Sequence, residues 1–211
     1  MYSKKLQPHS KSELISMIND DIALSYIDTS LVTDMSELFC KSNRKSFKGI
    51  ESWVTSQVTS MEAMFWGCEY FNEKIPFDTR NVEFMQYMFF GCERFNQPLD
   101  FNTSKVKSMQ GMFCSAKSFN QELHFDTRNV RSTAYMFANC LSLNSKIDFD
   151  TQNTQEMQFM FWRCKSYKLP LNLSTKSAIN TADMYDFLNE KNEEFFVQLF
   201  RENESQKINL A

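Results

Sequence analysis

The sequence predicts an α/β solenoid, a stack of units that each pair one short helix with one short strand, closed by a helical cap at either end. Three observations predict it. A motif recurs about every 24 residues, apolar residues in one half of each unit follow helical spacing, and those in the other half alternate as in a strand.

The recurrence is read directly. Asp78-Thr79-Arg80-Asn81-Val82 returns as Asn102-Thr103-Ser104-Lys105-Val106, as Asp126-Thr127-Arg128-Asn129-Val130 and as Asp150-Thr151-Gln152-Asn153-Thr154. Asp28-Thr29 and Val54-Thr55 open two earlier units, and a decayed seventh begins at Ser174. The first unit is two residues longer than the rest, which reads as a loop insertion over 41–46. Within a unit, Val82, Met85, Met88, Phe89 and Cys92 share one face of a predicted short helix. In Phe95-Asn96-Gln97-Pro98-Leu99-Asp100-Phe101, strand alternation turns Leu99 and Phe101 inward and Pro98 and Asp100 outward. Neither piece buries its apolar face alone, so neighbouring units must stack.

Ser10 and Glu13, followed by Leu14, Ile15, Met17 and Ile18, predict a capped amphipathic helix at the N-terminus. Leu188, Phe195, Phe196 and Leu199 predict another over 187–200. The expected organisation is one repeat domain over 1–211. It comprises a cap helix within 10–27, six repeats over 28–173, the seventh repeat with the C-terminal cap over 174–200, and a tail over 201–211.

Composition narrows the function classes. A net charge of −3 argues against a general nucleic-acid binder, and Phe (21) and Met (13) far outnumber Gly (4) and Pro (4). No apolar run reaches the roughly 18 residues of a membrane span. The polar first residues, with Lys4, Lys5 and Lys11, do not resemble a signal peptide, so a cytoplasmic location is the expectation. The six cysteines fit buried thiols in a reducing compartment.

Thr33-Asp34-Met35-Ser36-Glu37-Leu38-Phe39, Met61-Glu62-Ala63-Met64-Phe65-Trp66-Gly67-Cys68 and Asp78-Thr79-Arg80-Asn81-Val82 resemble BspA-type bacterial leucine-rich repeats. The likeness, over about 27–173, is to their Met-Phe-rich branch of unknown function in bacterial surface proteins. That resemblance implies a right-handed leucine-rich-repeat-like stack with a parallel sheet on one face. It also implies binding or adhesion roles, with a cell-surface or secreted location as the alternative.

Three ladders of like residues are expected to be internal scaffolding. Cys68, Cys92, Cys140 and Cys164 should fill a tight core, with Ala116 in the same slot. Asn72, Asn96, Asn120 and Asn144 should be buried and bond the backbone of the next unit. Thr29, Thr55, Thr79, Thr103, Thr127, Thr151 and Thr175 should make local turn bonds, with the neighbouring Asp acting likewise.

Two surfaces are candidates for contact with a protein partner. The outward strand face carries Lys74, Asp100, Glu122, His124, Lys146 and Asp148. The outer flank of the helices carries Trp66, Tyr87, Phe90, Tyr135, Phe159 and Trp162, which either form an exposed row or stack, half-buried, on the next unit. A basic cluster of Arg80, Lys105, Lys107, Arg128 and Arg131 reads as a solvated face. No nucleophile with a base, carboxylate pair, phosphate loop or metal-ligand spacing stands out. The expectation is therefore an interaction scaffold without catalysis or cofactor, with an adhesion module or an intracellular regulator or immunity-type protein as alternatives.

Overall fold

The computed structural model of the protein describes residues 5–185. Among these residues one α-helix forms, α1 (Lys11–Asn19), with two short 3-10 turns, Leu24–Tyr26 and Ile50–Ser52. Contacts between units are isolated parallel bridges and not strands. The expected α/β solenoid of helix-plus-strand repeats, and the leucine-rich-repeat sheet that would accompany it, therefore do not form. The helix expected over 187–200 and the tail over 201–211 lie outside the described residues.

What forms is a stack of 24-residue units made of linked β-turns. In the second unit, amides of Val58, Met64, Trp66, Cys68 and Phe71 donate to the carbonyls of Thr55, Met61, Ala63, Phe65 and Cys68, each three residues back. An i to i+3 bond with a positive φ at the third position is the type II pattern. Such φ values occur at Ala63 (51°) and Gly67 (72°) and recur at Tyr87 and Gly91, Gly111 and Ser115, Tyr135 and Asn139, and Phe159 and Arg163. These left-handed residues break any helix every four positions.

The alternate amides leave the unit altogether. Those of Met61, Ala63, Phe65 and Gly67 donate to the carbonyls of Phe84, Gln86, Met88 and Phe90 at 2.7–3.0 Å. Parallel bridges accordingly run Asp34, Ser60, Phe84, Ser108, Ser132, Glu156, Asn180, through the half of the unit that reads as helix. The half that reads as strand has no bridge among the described residues, although its alternation holds. Leu99, Phe101, Leu123, Phe125, Ile147 and Phe149 are buried there, while Pro98, Asp100, Glu122 and His124 are exposed.

Stacked Phe rings report the spacing of the units. Along Phe39, Phe65, Phe89, Phe113, Phe137 and Phe161, on the bridged side, centroids are 5.5–5.7 Å apart. Along Phe101, Phe125 and Phe149 they are 6.3 and 6.4 Å apart. The rings are spaced further apart on the extended side, where the half-units form no backbone bridge among the described residues.

The N-terminal end is capped by α1. Ser10 Oγ accepts from the Glu13 amide at 3.2 Å, and Glu13 Oε2 accepts from the His9 amide at 2.7 Å. Beyond Asp20, the left-handed Asp21 (φ 60°) donates to Ile18 O and Ile22 donates to Met17 O, the Schellman arrangement. Leu14 is wholly buried in the main core. The long first unit folds inward after residue 46: Phe47, Ile50 and Trp53 are buried, and Trp53 Nε1 donates to Leu24 O at 2.9 Å. Gly49 (φ 101°) is needed at this bend, because a Cβ there would meet Ser25 N at 2.5 Å.

Candidate functional site

The polar ladders hold units together, and their geometry shows which residues are already engaged. Thr55, Thr79, Thr103, Thr127 and Thr151 are buried, and each Oγ1 donates to a carbonyl 23 residues ahead, at 2.9–3.1 Å. The expected local hydroxyl bonds are thus inter-unit bonds. The adjacent Asp or Asn does act locally: Oδ1 of Asp28, Asp78, Asn102, Asp126 and Asp150 accepts from the amide two residues on. Oδ1 of Asn72, Asn96, Asn120 and Asn144 accepts from the amide 24 residues ahead at 2.7–2.9 Å. These asparagines have the expected partners, yet Asn72, Asn120 and Asn144 are exposed where burial was expected.

The cysteine ladder is buried. The thiols of Cys68, Cys92, Cys140 and Cys164 donate to carbonyls of the preceding unit at 2.9–3.0 Å. Burial pushes the Cys68 and Cys164 thiols up to about 12, and raises those of Cys92 and Cys140 further. Thiolate chemistry is therefore suppressed at these four positions. Among the described residues no group of three His, Cys, Asp or Glu side chains is placed to hold a metal ion.

The outward row is open to solvent. Lys74, Asp100, Glu122, His124, Lys146 and Asp148 are all exposed, one or two per unit, on the extended side. Lys146 Nζ lies 2.8 Å from Asp148 Oδ2. The hydrogen bond from Lys146 lowers the Asp148 carboxyl and raises the ammonium in turn. At each end the row borders a shallow cleft, one including Lys74 and the other Asp148.

The aromatic set has a different place. No helix carries it. Trp66, Phe90, Tyr135 and Trp162 are buried, and Tyr87 and Phe159 are half-buried, in a second apolar cluster separate from the main core. Rings of consecutive units touch: Trp66 and Phe90 are 5.3 Å apart, and Tyr135 and Phe159 stack at 5.2 Å with 7° between planes. Burial raises the Tyr87 phenol. Tyr87 lies over Gly111, where a Cβ would come within 2.6 Å of its ring. Positive φ at Tyr87, Tyr135 and Phe159 is a feature that sequence reasoning missed. Glycine at the same turn slot, at 111, was the available signal.

The basic cluster divides in two. Arg80 and Arg128 are held by Asp78 and Asp126, two residues before each. Lys105, Lys107 and Arg131 instead meet across two units in an open cleft of ≈ 410 Å³, with Glu83, Ser104 and Asn129. Lys107 pairs with Glu83, and its ammonium lies over the Phe84 ring at 5.7 Å.

A family model described as Mycoplasma protein of unknown function, DUF285, matches residues 11–124 and again 99–197. The chain belongs to the DUF285 family. No curated protein matches this DUF285 chain. No solved structure matches it either. The two matched stretches take in α1 and all seven units of the DUF285 stack. No helix among the described residues is long and apolar enough to cross a membrane.

Proposed function

We propose that this DUF285 protein is a non-catalytic interaction module that binds a protein partner along its outward row. The observation that carries the reading is the contrast between two sets of positions on the same segments. Inward positions repeat as Ile75 and Phe77, Leu99 and Phe101, Leu123 and Phe125, and Ile147 and Phe149, all buried. Outward positions vary in charge and size from unit to unit, through Lys74, Asp100, Glu122 with His124, and Lys146 with Asp148. A regular frame with an irregular charged edge suits selective recognition, because charge pattern sets partner choice more than affinity. The buried aromatic set is a weaker candidate, since its rings already satisfy one another.

The test is affinity capture from the native host with the wild-type chain and with Asp100→Lys plus Asp148→Lys. Loss of a specific partner from the double variant supports the row. Retention of every partner removes it. The finer kinship with BspA-type bacterial surface proteins belongs to this proposal. It would place the same row outside the cell as an adhesion module, whereas an intracellular regulator or immunity-type protein would use it in the cytoplasm. Surface biotinylation of intact host cells separates these two settings.

A further inference from the structure

One slot of the stack's polar frame carries a cation, and that cation lies inside the basic cleft. At the slot after the turn, Asn81, Asn129 and Asn153 each donate Nδ2 to a carbonyl of the preceding unit, that of Ser56, Ser104 and Arg128, at 2.7–3.0 Å. The fourth member of this series is Lys105, which cannot repeat that carboxamide geometry. Its Nζ reaches Asn81 Oδ1 at 2.7 Å instead. A frame residue is thus exchanged for a cation beside Lys107 and Arg131. The exchange keeps a bond to the preceding unit and adds a positive charge to the cleft.

We propose that this cleft binds a small phosphate monoester. Three cations against the single carboxylate of Glu83 leave two positive charges, the complement of a dianionic phosphate. Arg131, whose guanidinium otherwise contacts Asn153 O at 3.3 Å, offers a planar fork to phosphate oxygens. Ser104 and Asn129 add neutral polar groups to the same wall. A volume of ≈ 410 Å³ is far more than one phosphate group fills. The remainder suits a compact organic moiety lying along the methylene stems of Lys105 and Lys107. Other units carry Gln57 with Thr59, Asn153 with Gln155, and Ser177 with Ile179 at the two slots occupied by Lys105 and Lys107, so the site belongs to this one junction.

Isothermal titration of the full chain with glycerol phosphate, and separately with inorganic phosphate, tests the proposal at fixed ionic strength. Saturable one-to-one binding of glycerol phosphate is expected, tighter than that of inorganic phosphate, and the reverse order overturns the assignment of an ester. Lys105→Asn, which installs the residue used in the neighbouring units, should weaken binding about tenfold, and Arg131→Gln should do likewise. Affinity should also fall below about pH 6, where a monoester takes up its second proton. A non-saturating titration, or equal binding by both variants, overturns the proposal. In the wild-type protein, the ligand should slow acylation of Lys105 and Lys107 while leaving Lys165 unaffected. Equal rates at all three lysines would likewise overturn it.

Discussion

A single methyl group distinguishes linked turns from a helix, and Gly91→Ala is the substitution that does so. Gly91 has φ 68°, and a Cβ built there meets nothing closer than the Gly67 Cα at 3.5 Å. There is room for the methyl, so its effect is conformational. Holding an L-residue in the left-handed region costs roughly 1–2 kcal/mol, and the stiffer unfolded chain returns about 0.4–1. The net expectation is destabilisation of about 1 kcal/mol. In a helix the same change would stabilise by about 1 kcal/mol, because alanine is the better helix former. The two architectures thus differ in sign, by about 2 kcal/mol. Gly67→Ala, at φ 72° with its nearest neighbour at 3.4 Å, should behave the same way. For a chain of this size, 1 kcal/mol moves a melting midpoint by about 2–4 °C. Urea and thermal denaturation followed by circular dichroism would read it. A midpoint that rises for both variants would refute the turn-built description of this segment.

Gly111→Ala should cost more than Gly91→Ala, since its methyl would also lie 2.6 Å from the Tyr87 ring; Tyr87→Ala should recover the excess in a double-mutant cycle. Thr103→Val removes the bond to Asp126 O while keeping the buried shape, and should lower stability by about 1–2 kcal/mol in the same denaturation assay. Trp66→Ser with Phe90→Ser should destabilise the fold more than it weakens partner capture, given that both rings are buried; the reverse outcome in parallel melting and capture assays would restore the aromatic set as a contact surface. The raised thiols predict an alkaline weakness. Their neutral form is favoured in the fold, so their contribution is complete below the unfolded value near 9 and is lost as pH rises toward about 12. Stability measured from pH 8 to 11 should fall across that window, and less so in Cys68→Ala with Cys164→Ala.

What the sequence made legible was burial, and what it obscured was pairing. The inward and outward alternation from Phe95 to Phe101 was readable, because side-chain period depends only on an extended backbone. Whether that backbone finds a neighbour depends on unit spacing, and at 6.3–6.4 Å between inward rings it does not form a bridge. The spacing of Met85, Met88, Phe89 and Cys92 is degenerate in another way. Residues three apart share a helix face, but they are also the two corners of a β-turn, and chained turns bury the same set. All four glycines of the chain have positive φ, and three of them, Gly67, Gly91 and Gly111, fall within this apolar pattern. A helix would place glycine there at a cost, so these residues were the overlooked evidence for turns. The cap helix α1 was readable because Ser10, Glu13 and Leu14 act within a few residues of one another. The basic residues were readable as a cluster, but the cleft that Lys105, Lys107 and Arg131 share was not, because it forms only where units stack.

The turn slot shared by Glu37, Ala63, Tyr87, Gly111, Tyr135, Phe159 and Asp183 shows how far the frame tolerates local strain. Glycine suits its positive φ best, yet three of the seven carry large rings. Each ring lies at a junction where its bulk has somewhere to go: Tyr87 covers the bare Gly111, and Tyr135 stacks on Phe159. Ring burial and stacking outweigh a backbone cost of about 1–2 kcal/mol per residue. Lys105 keeps an inter-unit bond by another route, its exposed ammonium donating to Asn81 Oδ1 of the preceding unit. Both departures are thus accommodated within the fold, one by ring burial and the other by a different inter-unit bond. What the substitution at 105 adds beyond that bond is a positive charge beside Lys107 and Arg131, and this charge is the feature a phosphate ligand would use.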